Sequence, residues 1–147
     1  MAFASRLQQV LAAMWAGILL AVGGMAAPSL FAVLDRSLAG LAAGRIFAIE
    51  AYVSLVLAMT LFFIERQRTR QAALQAGQSV MSVELMLVMG ALFATVLGHF
   101  ALSPMIVAAK AGQGSLSFGT LHAMSSSLFL FKGVLVLALA WRLTGRR

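Results

Sequence analysis
The sequence predicts an all-α integral membrane protein, a four-helix bundle with both termini cytoplasmic. Three observations predict it. Of the 147 residues, 62% are hydrophobic and only 10% charged, with mean hydropathy +0.98. A soluble domain of this length needs more charge to cover its surface. Four apolar runs reach the roughly 20 residues that a helix needs to cross a bilayer. Arginines gather on alternate connections, as short cytoplasmic loops require.

The elements follow in order. A first span is predicted over residues 7–34, "LQQVLAAMWAGILLAVGGMAAPSLFAVL". Pro28 stands late in it and predicts a kink near Gly24. Arg6 and "GMAAPS" give this run a signal-like start and end, but it is far longer than the 7–15-residue core of a cleaved signal peptide. "DRS", residues 35–37, makes a tight outer turn into a second span over residues 39–64. "ERQRTRQAALQAGQSV", residues 65–80, is the one long polar connection and reads as a cytoplasmic loop. A third span over 81–109 leads through the Gly/Ser turn "KAGQGSLS" into a fourth over 118–143. Trp141 sits where an interfacial anchor belongs. The chain, 1–147, thus reads as a single transmembrane domain.

Orientation follows from the bases. Arg6, Arg66, Arg68, Arg70, Arg142, Arg146 and Arg147 fall on one side, Arg36 and Lys110 on the other. The first side is therefore cytoplasmic. The net charge of +7 is a topology signal, so the expected partner is the lipid bilayer and not nucleic acid. Abundant arginine and alanine suggest a GC-rich bacterial source, hence a multi-pass protein of the bacterial inner membrane. Cysteine is absent, which excludes disulfides and thiolate metal sites.

In lipid, helices associate through close contact of small residues. Each span carries a row at four-residue spacing: Ala13, Gly17, Ala21; Gly40, Gly44, Ala48; Gly90, Ala94, Gly98; Gly119, Ala123, Ser127. These rows, with Gly17, Gly40, Gly44, Gly90 and Gly98 as contact points, predict a close-packed bundle. They also leave room for a homo-oligomer or a membrane partner subunit.

Six ionisable groups lie inside the spans, where charge is costly and marks function by default. Glu84 falls near the cytoplasmic edge and reads as a solvated end residue. Arg45 and Glu50 are five residues apart, about 140° on the helix, so each expects a partner on another helix. In "GTLHAMSSSLFLFKG", residues 119–133, His122, Ser125, Ser126, Phe129 and Lys132 recur at helical spacing as one stripe. Lys132 is read as snorkelling toward the headgroups. Arg45, Glu50, His122, Ser125 and Ser126 are the expected lining of a small polar cavity toward the outer side. His99 and His122 are the alternative ligands of a haem or copper ion, although they differ in depth by roughly 9 Å. No Ser-His-Asp set, phosphate loop, HExxH or paired carboxylates appear, so the sequence offers no catalytic residue and no cofactor.

Three stretches carry a family likeness: "MWAGILLAVGGMAAPSLFAVL", "AGLAAGRIFAIEAYVSL" and "FGTLHAMSSSLFLFKG". Together, and with "FALSPMIVAAK" ending the third span, they resemble a small membrane family of unassigned function that includes the eukaryotic transmembrane protein 205. The resemblance implies a four-helix bundle and sets Trp15, Pro28, Phe31, Arg45, Phe47, Pro104, His122 and Ser126 on matching positions. It implies no agreed activity. "HAM" stands where His-Gly is commoner, an asparagine after the serines is replaced within "LFLFK", and His99 matches no motif. A more distant likeness to copper-resistance-D-like and haem-handling membrane proteins is an analogy of fold. The expectation is a non-enzymatic membrane protein handling a small molecule or ion. The alternatives are a haem- or copper-binding protein and a structural subunit of a membrane complex.

Overall fold
The computed structural model describes residues 2–77 and 79–145; among them the elements are all helical, joined by short turns at 34–35, 79–82 and 111–117, with no strand. Four units are long and apolar enough to cross a membrane: Phe3–Val33, Arg36–Ala76, Val83–Lys110 and Phe118–Thr144.

The first and third units are interrupted at related places. α1 (Ala2–Ala21) passes through a π-helical turn at Val22–Ala26 into α2 (Ala27–Val33). α4 (Val83–Thr95) passes through a second π turn at Val96–Ala101 into α5 (Leu102–Lys110). Pro28 and Pro104 lie just beyond these turns. A proline lacks the amide hydrogen and its ring crowds the carbonyl four residues back. The ladder accommodates this by widening upstream, with Ala27 N–H donating to Val22 O and Leu102 N–H to Leu97 O. The kink expected near Gly24 is this widened turn.

The second unit departs from expectation. α3 (Arg36–Ala76) runs for 41 residues without a break, so most of the stretch read as a loop over 65–80 is helix. At 1.5 Å per residue it is about 61 Å long, twice the roughly 30 Å of a hydrocarbon core. Its Arg, Gln, Ala and Leu residues favour helix, and Glu65 and Thr69 are buried against the bundle. Gly77, at φ 61, ends it by returning its N–H to Ala73 O. Serines start the next two units: Ser82 Oγ accepts from Leu85 N–H and Ser117 Oγ from Thr120 N–H. α6 (Phe118–Thr144) completes the bundle.

The two halves of the bundle pack differently. At the arginine-rich end the helices close a ring, α1 on α3, α3 on α4, α4 on α6 and α6 on α1. Ala12, Trp15, Leu19, Ala58, Leu61, Val88, Val136 and Leu139 form its core. At the opposite end α2 packs on α3 and α5 on α6, and these two pairs approach each other's backbone only where the second π turn passes α3. From Val22 to Val33 no residue is buried. Leu121 alone is buried in the half of α6 away from the arginine-rich end.

The small-residue rows are sorted by this arrangement. The row of the third unit does pack: Ala94 is buried, a Cβ on Gly90 would lie 2.9 Å from Leu135 Cδ1, and one on Gly98 3.9 Å from Leu128 Cβ. Gly17 and Gly44 meet nothing within 4 Å, and Gly40 meets only Lys110 Nζ at 4.0 Å. Ala13, Ala21, Gly119, Ala123 and Ser127 are exposed. Two rows therefore face outward, because Gln8, Trp15, Leu121 and Lys132 set which face of α1 and α6 turns in. The closest glycine contact is one the rows omit: a Cβ on Gly23 would stand 2.6 Å from Phe129 Cε1.

Candidate functional site
Glu50 and Ser54 stand one turn apart on the buried stripe of α3, and Lys132 and Trp15 reach them from α6 and α1. Lys132 Nζ donates to both carboxylate oxygens of Glu50, at 2.7 and 2.8 Å. Ser54 Oγ donates to Glu50 Oε1 and accepts from Trp15 Nε1 at 2.7 Å. Glu50 and Lys132 are each 4% exposed, and Ser54 and Trp15 are fully enclosed. Three spans thus converge on one carboxylate. The snorkelling reading of Lys132 is corrected here: its ammonium points inward, because an isolated Glu50 carboxylate in this setting costs several kcal/mol and the ammonium offsets that.

An aromatic roof lies one turn beyond the ion pair. Phe47 and Phe129 each precede a charged residue by three positions, on the side away from the arginine-rich end. Their rings meet edge to face, 5.1 Å apart at 88°. Lys132 Nζ lies 5.2 Å from the Phe129 centroid, within the reach of a cation–π contact. The Phe129 ring rests on Gly23 in the first π turn. Beyond this roof the α2–α3 and α5–α6 backbones do not approach each other closely, although Lys110 Nζ reaches across to within 4.0 Å of a Cβ on Gly40.

A second polar layer lies toward the arginine-rich end, 15 residues or about 22 Å along α3. Glu65 Oε2 accepts from Gln8 Nε2 at 2.9 Å, and Oε1 from Ser82 Oγ at 2.8 Å. Arg142 Nε donates to Glu84 Oε1 at 2.9 Å. Glu84 is 4% exposed, so its reading as a solvated end residue is corrected. Gln9 Nε2 donates to the Leu143 carbonyl at 2.9 Å.

The residues expected to share a cavity are placed apart. Glu50 is buried with Lys132. Arg45 is exposed, on the side of α3 opposite the buried stripe, and joins neither Glu50 nor His122. His122 is exposed and stacks on Phe118, with centroids 5.6 Å apart at 14°. Ser125 is half-buried and Ser126 exposed. By helical spacing both lie with His122 and Phe129 on the face of α6 that turns toward the first unit. His99 packs edge-on against Tyr52 and Phe100, at 5.5 and 5.0 Å. Gly98 abuts Leu128, so His99 lies about six residues, or 9 Å, deeper than His122. The two imidazoles face different neighbours. Among the described residues no group of three or more His, Cys, Asp or Glu could hold one metal ion.

Sequence reasoning missed Trp15 and Ser54 as partners of Glu50, and Gln8, Glu65 and Ser82 as a second set. The signal was present in α3, where Glu50, Ser54, Ala58, Leu61 and Glu65 follow the three- and four-residue steps of a single buried stripe. Gln8 and Trp15 carry no such pattern.

A family profile described as a domain of unknown function (DUF4149) matches residues 10–115. The matched stretch includes Trp15, Glu50, Ser54, Glu65 and Ser82 and stops short of α6 with its Lys132. No curated protein matches the chain, and no solved structure does.

Proposed function
Because the chain belongs to the DUF4149 family, described only as a domain of unknown function, we propose a reading from its own geometry: a multi-pass membrane protein that takes up a small molecule or ion from the outer side. The observation that carries it is the parting of the bundle above a buried charge. The helices close a ring at the arginine-rich end and separate into two pairs at the other, with Phe47 and Phe129 standing between that gap and the Glu50–Lys132 pair. Ser125, Ser126 and His122 offer hydroxyls and an imidazole along one wall. Arg45 takes no part. A visiting ion would meet the aromatic roof first and the ion pair beneath it second. The bacterial inner membrane, with the arginine-rich end cytoplasmic, and kinship with transmembrane protein 205 belong to this proposal.

The absence of native cysteine makes the test direct. Single variants Ser126→Cys and Met59→Cys are treated, in intact cells or proteoliposomes, with a charged thiol reagent that does not cross membranes. The expected result is labelling of Ser126→Cys from the outer side and none of Met59→Cys, which is exposed on a lipid-facing stripe of α3. Equal protection of both positions would sink the open gap. If the protected chain also ran as a cross-linked dimer, the reading as a subunit of an assembly, favoured by the outward-facing Gly17 row, would replace it.

A further inference from the structure
We propose that the prolongation of α3 binds an anionic phospholipid of the surrounding bilayer, with its phosphate held between Arg66 and Arg70. The inference is independent of the gap at the other end.

The acidic groups at the arginine-rich end are already engaged. Glu65 is 1% exposed and holds Gln8 and Ser82, and Glu84 holds Arg142. Arg66 and Arg70 are exposed, and neither forms an ion pair among the described residues. Two guanidinium groups one helical turn apart therefore present uncompensated charge. Their place on the helix determines what can reach them. At about 100° per residue, Tyr52, Val56, Met59 and Phe63 form one stripe opposite the buried stripe, and all four are exposed. Arg66 and Arg70 continue that stripe, the whole staying within about 80°. A lipid-facing apolar track thus ends in two paired cations, roughly 4.5 Å and 10 Å beyond Phe63 along the axis. Acyl chains lying along Val56, Met59 and Phe63 would bring a phosphodiester to the two arginines, whose planar forks suit phosphate oxygens. A soluble anion would find the charge without the track, and a zwitterionic lipid would find the track but carry no net charge for the cations to hold.

The full chain in detergent is titrated with phosphatidylglycerol, phosphatidylcholine or inorganic phosphate, and read by native mass spectrometry and by melting temperature. Phosphatidylglycerol is expected to be retained and to raise the melting temperature, as any ligand of the folded state does. Phosphatidylcholine and phosphate are expected to do neither. Arg66→Gln/Arg70→Gln should weaken retention about twenty-five-fold, roughly fivefold per arginine, whereas Arg68→Gln, off the stripe, leaves it unchanged. Equal retention of the two lipids, an effect of phosphate matching that of phosphatidylglycerol, or retention that survives the double substitution would each overturn the proposal. The comparison of lipids on the unsubstituted chain decides the matter even if the double variant folds poorly.

Discussion
Lys132 shows how a bilayer changes what a charge does. In water its ammonium would add little to stability. Here, 4% exposed and touching both oxygens of Glu50, it determines whether that carboxylate can exist inside the bundle. Lys132→Met strands Glu50, and loss of one partner of a buried pair costs about 3–5 kcal/mol. Glu50→Leu/Lys132→Met removes both charges and should recover most of that loss, because apolar replacement of a whole buried pair is often neutral or stabilising by about 1–4 kcal/mol. Denaturant unfolding of the two single variants and the double variant in one detergent measures the cycle. Additive losses would show that the two side chains do not depend on each other. Trp15 and Ser54 act one step removed, since the indole N–H orients the hydroxyl that donates to the carboxylate. Hydrogen bonds between helices in lipid contribute about 0.6 kcal/mol each, so the ion pair and not these bonds dominates the site.

At the scale of elements, α3 is one rod with two parts, a buried bundle portion and an exposed prolongation. Its bundle portion buries Ala43, Glu50, Ser54, Ala58, Leu61 and Glu65, and the last residue it buries is Thr69. Beyond that residue the helix supports itself. Ala72→Pro should therefore end the helix early while leaving the melting temperature of the bundle nearly unchanged. Ala58→Pro, at a fully buried mid-helix position, removes a ladder bond inside the core and costs about 3 kcal/mol or more. Circular dichroism and thermal unfolding together separate the two, and a comparable loss from both variants would mean that the prolongation is part of the folding unit. The sequence showed the four apolar runs and the proline kink, since these are local signals. It did not show that the polar stretch after Ile64 stays helical, because length, charge and glutamine content suit a loop and a helical rod equally. The burial of Glu65 by Gln8 and Ser82 removes that ambiguity.

For the whole molecule, the asymmetry between the two halves is the dominant feature. The arginine-rich half holds nearly all of the apolar core and both polar layers, and the other half holds two helical pairs with little buried between them. Local opening follows buried contact. Amides of Val22–Val33 should exchange with deuterium before those of Ala12–Leu19, although both segments belong to the first unit. Hydrogen exchange read by mass spectrometry in nanodiscs checks this, and uniform protection along the unit would contradict a loosely packed half opposite the arginine-rich end. The same asymmetry explains why the residues expected to share one cavity are divided. Glu50 and the stripe of His122, Ser125 and Ser126 were visible as polar residues in apolar runs. Their separation into a buried ion pair and an exposed stripe depends on where the spans part.

What the sequence by itself determined was the number of spans, the kink at Pro28 and the excess of arginine at one end. Each is set by a property of a single segment: its apolar length, its proline, its charge. What only the tertiary structure decided was pairing. Lys132 lies 82 positions from Glu50 and Gln8 lies 57 from Glu65, and no periodicity within one helix reports the rotation of another. In a bilayer that rotation is not set by hydrophobic burial, since lipid suits an apolar face as well as protein does. It is set by which polar groups must meet, and that becomes visible only when the helices are placed side by side.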